Sequence, residues 1–409
     1  MRKGHVARLL LLSLFTASLA LAAGPTRPPC GLSATGGPEG PALKPQDVCS
    51  TVTPQKGPIT NPAVQAPDQF AWKRFAELNA PAGNNQVKWQ TFANQADLYV
   101  ANPNPNKPPT YPGPEKTHQL RIAPSRQRLL ARGLDLLSAH QPESTECSSA
   151  SVQEEVRLNR DVFNFVVGSK LWYVEGQVAA FNQGTTVNFP TTALEVKANW
   201  KPITANEKSA YLWAEGSNHQ LYGLVAMHVL SKDVPNWFWA TFEHKSNPCY
   251  GKYLAPQDNF GFPNGASKPS AGLLALFKKY GVNAKVFSNY RLDGAMVDFT
   301  DSEGAPIILG NSITEDGFQT TASCVTCHSR STAGPNTKSF GQGRLSVFDP
   351  AVVYNKQPQS FNGTPDPGWF WNFTAKPPTA NYIQLDFVWS LACANAIGST
   401  QQQCPAPPV

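Results

Sequence analysis

Residues 220–244 read QLYGLVAMHVLSKDVPNWFWATFEH. Two runs rich in β-branched and aromatic residues are separated by turn residues. That pattern predicts neighbouring antiparallel strands. Side chains alternate across a strand, so Phe238, Ala240, Phe242 and His244 share one face. Trp237, Trp239, Thr241 and Glu243 share the other. Met227 and His228 are adjacent, so at most one of them can face a given pocket.

Working outward, residues 162–182 (VFNFVVGSKLWYVEGQVAAFN) and 193–203 (ALEVKANWKPI) carry the same composition and are also predicted as strands. Residues 290–309 (YRLDGAMVDFTDSEGAPIIL) predict a hairpin around Asp301-Ser302-Glu303-Gly304. Helices are expected at 70–81 (FAWKRFAELNAP), 125–141 (SRQRLLARGLDLLSAHQ), 270–281 (SAGLLALFKKYG, with a glycine stop) and 384–398 (QLDFVWSLACANAIG). Residues 101–115 form a Pro/Asn-rich loop. No internal repeat is visible. The fold class predicted is α+β, a mostly antiparallel sheet with a few helices.

The chain opens MRKGHVARLLLLSLFTASLALAAG. A basic start, a short apolar run and Ala20-Leu21-Ala22 predict a secretory signal peptide over 1–22. A Pro/Gly-rich irregular arm follows over 23–66, and one large domain over 67–409. The formal net charge is +6 and falls to +3 once Arg2, Lys3 and Arg8 leave with the leader. No Lys/Arg cluster suggests a nucleic-acid partner, and no later stretch is long and apolar enough to span a membrane. There are eight cysteines. Setting aside Cys324 and Cys327 leaves six, an even number suited to disulfides in an oxidising compartment. Cys30–Cys49 and Cys393–Cys404 are locally plausible, which would leave Cys147–Cys249.

Residues 321–330 read TASCVTCHSR. Ser312 and Glu315 match the capping box S-x-x-E, predicting a helix from Ser312 that runs through His328. Residues three apart share a helix face. Cys324 and Cys327 could therefore form two thioethers to one edge of a haem, with His328 directed at the iron. A redox dithiol would want the pair after a strand in a βαβ unit. A zinc site would want a second ligand pair at a defined spacing, and no histidine follows His328.

The stretch CVTCH resembles the c-type cytochrome attachment signature. More widely, FAWKRFAELN, NWFWATFEH, SCVTCH and LDFVWSL resemble a group of exported bacterial proteins with a single haem motif. The resemblance implies one covalent haem c, with Cys324, Cys327 and His328 as its attachment and proximal iron residues. No methionine or histidine lies after His328, so a distal ligand must come from upstream, with His244 or Met296 as candidates. Arg330 and Arg344 are candidates to pair with the propionates. Two functions follow as expectations. One is a periplasmic cytochrome that passes electrons to a redox partner protein. The other is a haem oxidoreductase acting on a small oxidant, peroxidase- or oxygenase-like, with His244 or Glu243 as distal acid/base. No dinucleotide fingerprint, P-loop or nucleophile elbow is present.

Overall fold

The computed structural model describes residues 61–113, 119–120, 147, 152–216, 218–338, 342–345 and 362–400. The leader, nearly all of the arm, the predicted helix at 125–141, Cys30, Cys49 and Cys404 lie outside the described residues.

The fold is α+β around an eight-stranded sheet. Its strands are β1 (Ala93–Asn94), β2 (Gln119–Leu120), β3 (Gln153–Leu158), β4 (Leu194–Pro202), β5 (Trp213–Gly216), β6 (Leu221–Ser231), β7 (Phe238–His244) and β8 (Tyr290–Met296). The order is β8-β7-β6-β4-β3-β1, all antiparallel, and β5 pairs with β6 and, in parallel, with β2. The opening stretch is thus the centre of the sheet. Every residue of β7 is buried, and so is all of β6 except Leu221. Such unbroken burial means that both faces of the sheet are covered.

One face carries Val196, Ala198, Met227, Val229, Phe238, Ala240, Phe242, Tyr290 and Leu292. Against it pack helices α1 (Pro67–Leu78) and α4 (Ala271–Tyr280). Trp72 of α1 anchors this layer, in ring contact with Phe75, Phe242, Phe262 and Phe277, and its indole donates to Asp258 Oδ2 at 3.0 Å. Ser270 caps α4, and Gly281, at φ 68°, ends it as the sequence predicted.

The other face carries Trp239, Thr241, Glu243, His228, Asn199 and Met296, and the motif segment covers it. The register sets this division. Met296 pairs with Trp239, Thr241 with His228 and Ala226 with Glu243, and directly paired residues share a face.

Residues 162–182 are not strands. They form α2 (Arg160–Gly168) and α3 (Val174–Asn182). Asn159 Oδ1 accepts from Val162 N and starts α2, while Val162, Phe163 and Val166 line its buried side. Helical periodicity within a β-branched run prevails here because tertiary burial outweighs local propensity. Gly176 is required in α3, since a Cβ there would meet Lys170 O at 1.8 Å.

The expected helix at 384–398 is also absent. Ile383–Gln384 is a short strand paired with Thr332–Ala333, and Trp389–Cys393 is a 3-10 turn. Between them Asp386 and Phe387 adopt left-handed backbone angles, φ 49° and 68°. Asp386 is held there by Lys232 Nζ at 2.5 Å and by Phe189 N at 2.7 Å. Only half of the predicted 290–309 hairpin is regular. β8 and the Asp301–Gly304 turn form, but the returning chain makes only isolated bonds, such as Ile307 N to Phe299 O. Cys147 and Cys249 form the disulfide expected by elimination.

Candidate functional site

The motif helix, α5, spans Cys324–Ser329 only. The predicted start at Ser312 fails because Ser312 is not a cap; its hydroxyl donates to Glu243 Oε2. Asn311 takes the capping role, its Oδ1 accepting from Ile313 N and Thr314 N, while Glu315 Oε2 accepts from Asn311 N at 2.8 Å. Gly317, at φ 91°, then turns the chain out of helical geometry.

The C-terminal segment clasps α5. Trp389 Nε1 donates to Cys327 O at 3.0 Å, Ser331 Oγ to Val388 O at 2.7 Å, and Leu385 N to Ser331 O at 2.8 Å. Thr326 Oγ1 donates to Gly363 O at 2.7 Å. His328 Nδ1 lies 2.8 Å from Phe387 O. A carbonyl only accepts, so Nδ1 carries the proton and Nε2 presents its lone pair. Carbonyls on the far nitrogen orient metal-binding histidines in this way. Burial pushes the pKa of His328 down to about 3, which keeps the ring neutral.

Cys324 and Cys327 are not joined to each other. Burial raises both thiols, and Cys324 is raised further by Glu315 and by Cys327. Exchange chemistry needs the thiolate, so this environment opposes a redox dithiol. Among the described residues, no group of three or more His, Cys, Asp and Glu is placed to hold a metal ion, which opposes a zinc knuckle.

The sheet supplies the neighbours of the motif. The Trp239 ring lies 4.5 Å from that of His328. Met296, paired with Trp239, belongs to the same apolar cluster as Cys324 and Val325. His244 is not brought to the motif. By strand alternation it faces the α1 side, stacked on Tyr211 at 4.1 Å, with Nδ1 bonded to Ser246 Oγ and Nε2 to Ala210 O. The sheet separates it from His328, so it is neither a distal ligand nor an acid/base for this site. Glu243 does face the motif side and is fully buried.

Arg330 and Arg344 are both buried. Arg330 lies over the Trp369 ring at 4.4 Å. Arg344 donates to Thr332 O at 2.6 Å and to Gln177 Oε1 at 2.5 Å, and its buried Nε meets no acceptor among the described residues. Burial pushes each guanidinium down to about 10.

A polar network between motif and sheet escaped the sequence reading. His228 Nε2 meets Asn311 Nδ2 at 2.8 Å and Thr314 Oγ1 at 2.9 Å. Asn311 Nδ2 also donates to Thr241 Oγ1 at 2.8 Å, and Thr314 Oγ1 to Asn199 Oδ1 at 2.8 Å. The available signal was four polar residues, Asn199, His228, Thr241 and Glu243, on one face of three central strands.

A covalently attached haem fits the donor set. Two thiols three residues apart, not joined in a disulfide, precede a neutral histidine whose tautomer leaves Nε2 for a metal. The orphaned Nε of Arg344 suits an anionic substituent. Comparison with family models, with curated proteins and with solved structures finds no match for this chain.

Proposed function

We propose that this chain is an exported c-type haem protein that passes single electrons in the periplasm. The observation that carries the reading is the hydrogen bond from His328 Nδ1 to Phe387 O, beside Cys324 and Cys327, which are not joined in a disulfide. The haem would supply one-electron chemistry at its iron. Cys324 and Cys327 would hold it, and His328 Nε2 would be the proximal ligand. Met296 is the candidate distal ligand, because it lies on the motif face of the sheet in the apolar cluster of Cys324. Arg344, with Arg330, would neutralise propionates. The Cys147–Cys249 disulfide supports an oxidising compartment. The opening sequence supports export. Among the described residues no helix is long and apolar enough to cross a membrane.

A second reading is a haem oxidoreductase with an open sixth position. Glu243 favours it, as a buried acid on the motif face. The test is spectroscopic. The denatured, reduced protein should give a c-type pyridine haemochrome, and Cys324→Ala/Cys327→Ala should abolish it; no such spectrum in the parent protein defeats the haem reading. Met296→Leu conserves volume and should cost under about 1.5 kcal/mol. It should nevertheless convert a low-spin ferric spectrum to high spin. A parent protein that is already high spin and binds cyanide favours the oxidoreductase.

A further inference from the structure

Glu243 and Asp293 are buried acids on the neighbouring strands β7 and β8. Glu243 is fully buried and Asp293 is 4 % exposed. The register of β8 against β7 slips by one residue between Leu292 and Gly294, so Asp293 is the extra residue of a β-bulge. There its carboxyl lies on the strand beside Glu243, and the two groups act on one another's charge. Two ionised carboxylates in one buried site repel, which drives one of them to keep its proton. Glu243 Oε2 is taken by Asn247 Nδ2 at 2.9 Å and by Ser312 Oγ. Glu243 Oε1 and Asp293 Oδ2 are buried and meet no hydrogen-bond partner among the described residues.

Among the described residues no cation forms an ion pair with either carboxyl. Arg291, which pairs with Glu243 in register, donates to Ser288 O, Tyr290 O and Ser267 O and lies over Phe262. Tyr250 is held neutral, pushed up to about 12 by burial and by Asp293. Asp258 is spent on Trp72 and on the backbone N–H groups of residues 260–262. Glu315, in the turn above, adds negative charge that raises Asp293 further. His228 faces the same turn and is occupied by Asn311 and Thr314.

That turn ties the pair to the motif. Ser312 bonds Glu243, Asn311 bonds His228 and Thr241, and Glu315 Oε2 lies 3.8 Å from His228. The charge of Glu315 is felt both by Asp293 and by the Cys324 thiol. Cys324 Sγ itself approaches Leu309 O at 3.7 Å.

We propose that Glu243 and Asp293 form a proton-binding site, a buried carboxyl pair that exchanges one proton in step with the charge of the centre at Cys324, Cys327 and His328. This rests on the haem reading above. An electron from an external one-electron donor adds one negative charge to the centre. The pair then takes one proton from water and passes from −1 to neutral. Oxidation returns the electron to an acceptor and the proton to water. Linkage makes the coupling reciprocal, so protonation of the pair raises the affinity of the centre for its electron. Both groups are raised by burial, which places the exchange above the ordinary carboxylate range.

Two measurements on the full mature protein test this. The first needs no haem signal. Infrared difference spectra between water and heavy water should show protonated carboxyl bands at pH 7, and the component of the pair should be lost in Glu243→Gln/Asp293→Asn while that of Glu195 stays. Absence of the pair's component from the parent protein overturns the proton held by the pair. The second is the reduction potential against pH. It should fall with rising pH, by up to about 59 mV per tenfold change in proton concentration, and flatten in Asp293→Asn. An unchanged slope in that variant overturns the coupling. Should Asp293→Asn fail to fold, Glu243→Gln carries the same comparison. A protein with the pair's infrared component but no pyridine haemochrome keeps the carboxyl pair and loses both the coupling and the haem reading.

Discussion

A single residue shows how strand parity decides function. His244 and Glu243 are neighbours in sequence, yet the sheet lies between their side chains. His244 is buried among Tyr211, Tyr290 and the carbonyl of Ala210. Burial pushes its pKa down to about 4 from an ordinary 6.5. The unfolded chain therefore binds a proton that the folded chain refuses, and stability is lost as pH falls from about 6.5 towards 4. The full shift corresponds to about 3 kcal/mol. Replacing His244 with Phe should remove most of that acid sensitivity, read as the difference in denaturant midpoint between pH 7 and pH 4.5. It should leave any haem spectrum unchanged. A changed spin state would show that the residue reaches the iron after all. In the sequence His244 read as a candidate distal residue, at the end of an aromatic strand. Its parity was legible; which face the motif would cover was not. Asp293 was hidden, because a bulge leaves no mark in a composition pattern.

Among elements, the clasp over the motif helix is the one most dependent on long-range partners. The left-handed pair Asp386-Phe387 presents the carbonyl that orients His328, and Lys232 holds Asp386 in place at 2.5 Å. Both charges are buried. Asp386→Ala strands the ammonium and should cost about 3–5 kcal/mol. Lys232→Met/Asp386→Asn should recover much of that loss, because it removes both buried charges. Equilibrium unfolding of the three variants measures the coupling, and simple additivity of the single changes would show that the pair does not act as a unit. This clasp was not legible as such. LDFVWSLACANA has the spacing of a helix, and the contacts of Asp386 with Lys232, just past β6, and with Phe189 N oppose it. Strands β4, β6 and β7 were legible because their burial on both faces demands continuous β-branched and aromatic runs. The same composition misled at 162–182, where Asn159 starts a helix instead. CVTCH was legible in its three residues, though the helix that carries it is much shorter than its capping signal implied.

For the whole molecule, pH dependence follows from which acids the sheet buries. Glu195 on β4 is buried and accepts from Ser390 Oγ at 3.1 Å. Burial raises it from 4.5 to about 7, the Ser390 bond and Lys197 opposing. The folded state therefore keeps a proton that the unfolded chain releases, and stability falls as pH rises from about 4.5 through 7. That amounts to about 3 kcal/mol. Between about pH 4.5 and 6.5 this slope opposes that of His244, and the two largely cancel. Glu195→Gln should be more stable than the parent at pH 8 and little changed at pH 5, as read from chemical denaturation at the two pH values. Equal effects at both would show that Glu195 is ionised in the fold.

The contact between His328 and Phe387 spans 59 residues. A chain made from its N-terminus therefore completes the Cys324-Cys327-His328 motif before the strap that buries it exists. Until residues 383–394 follow, the thiols lack the burial that later raises them. The imidazole has no fixed tautomer in that interval. Chain order thus leaves the three residues open first and covers them later, and a chain ending before Phe387 would remain in the open state.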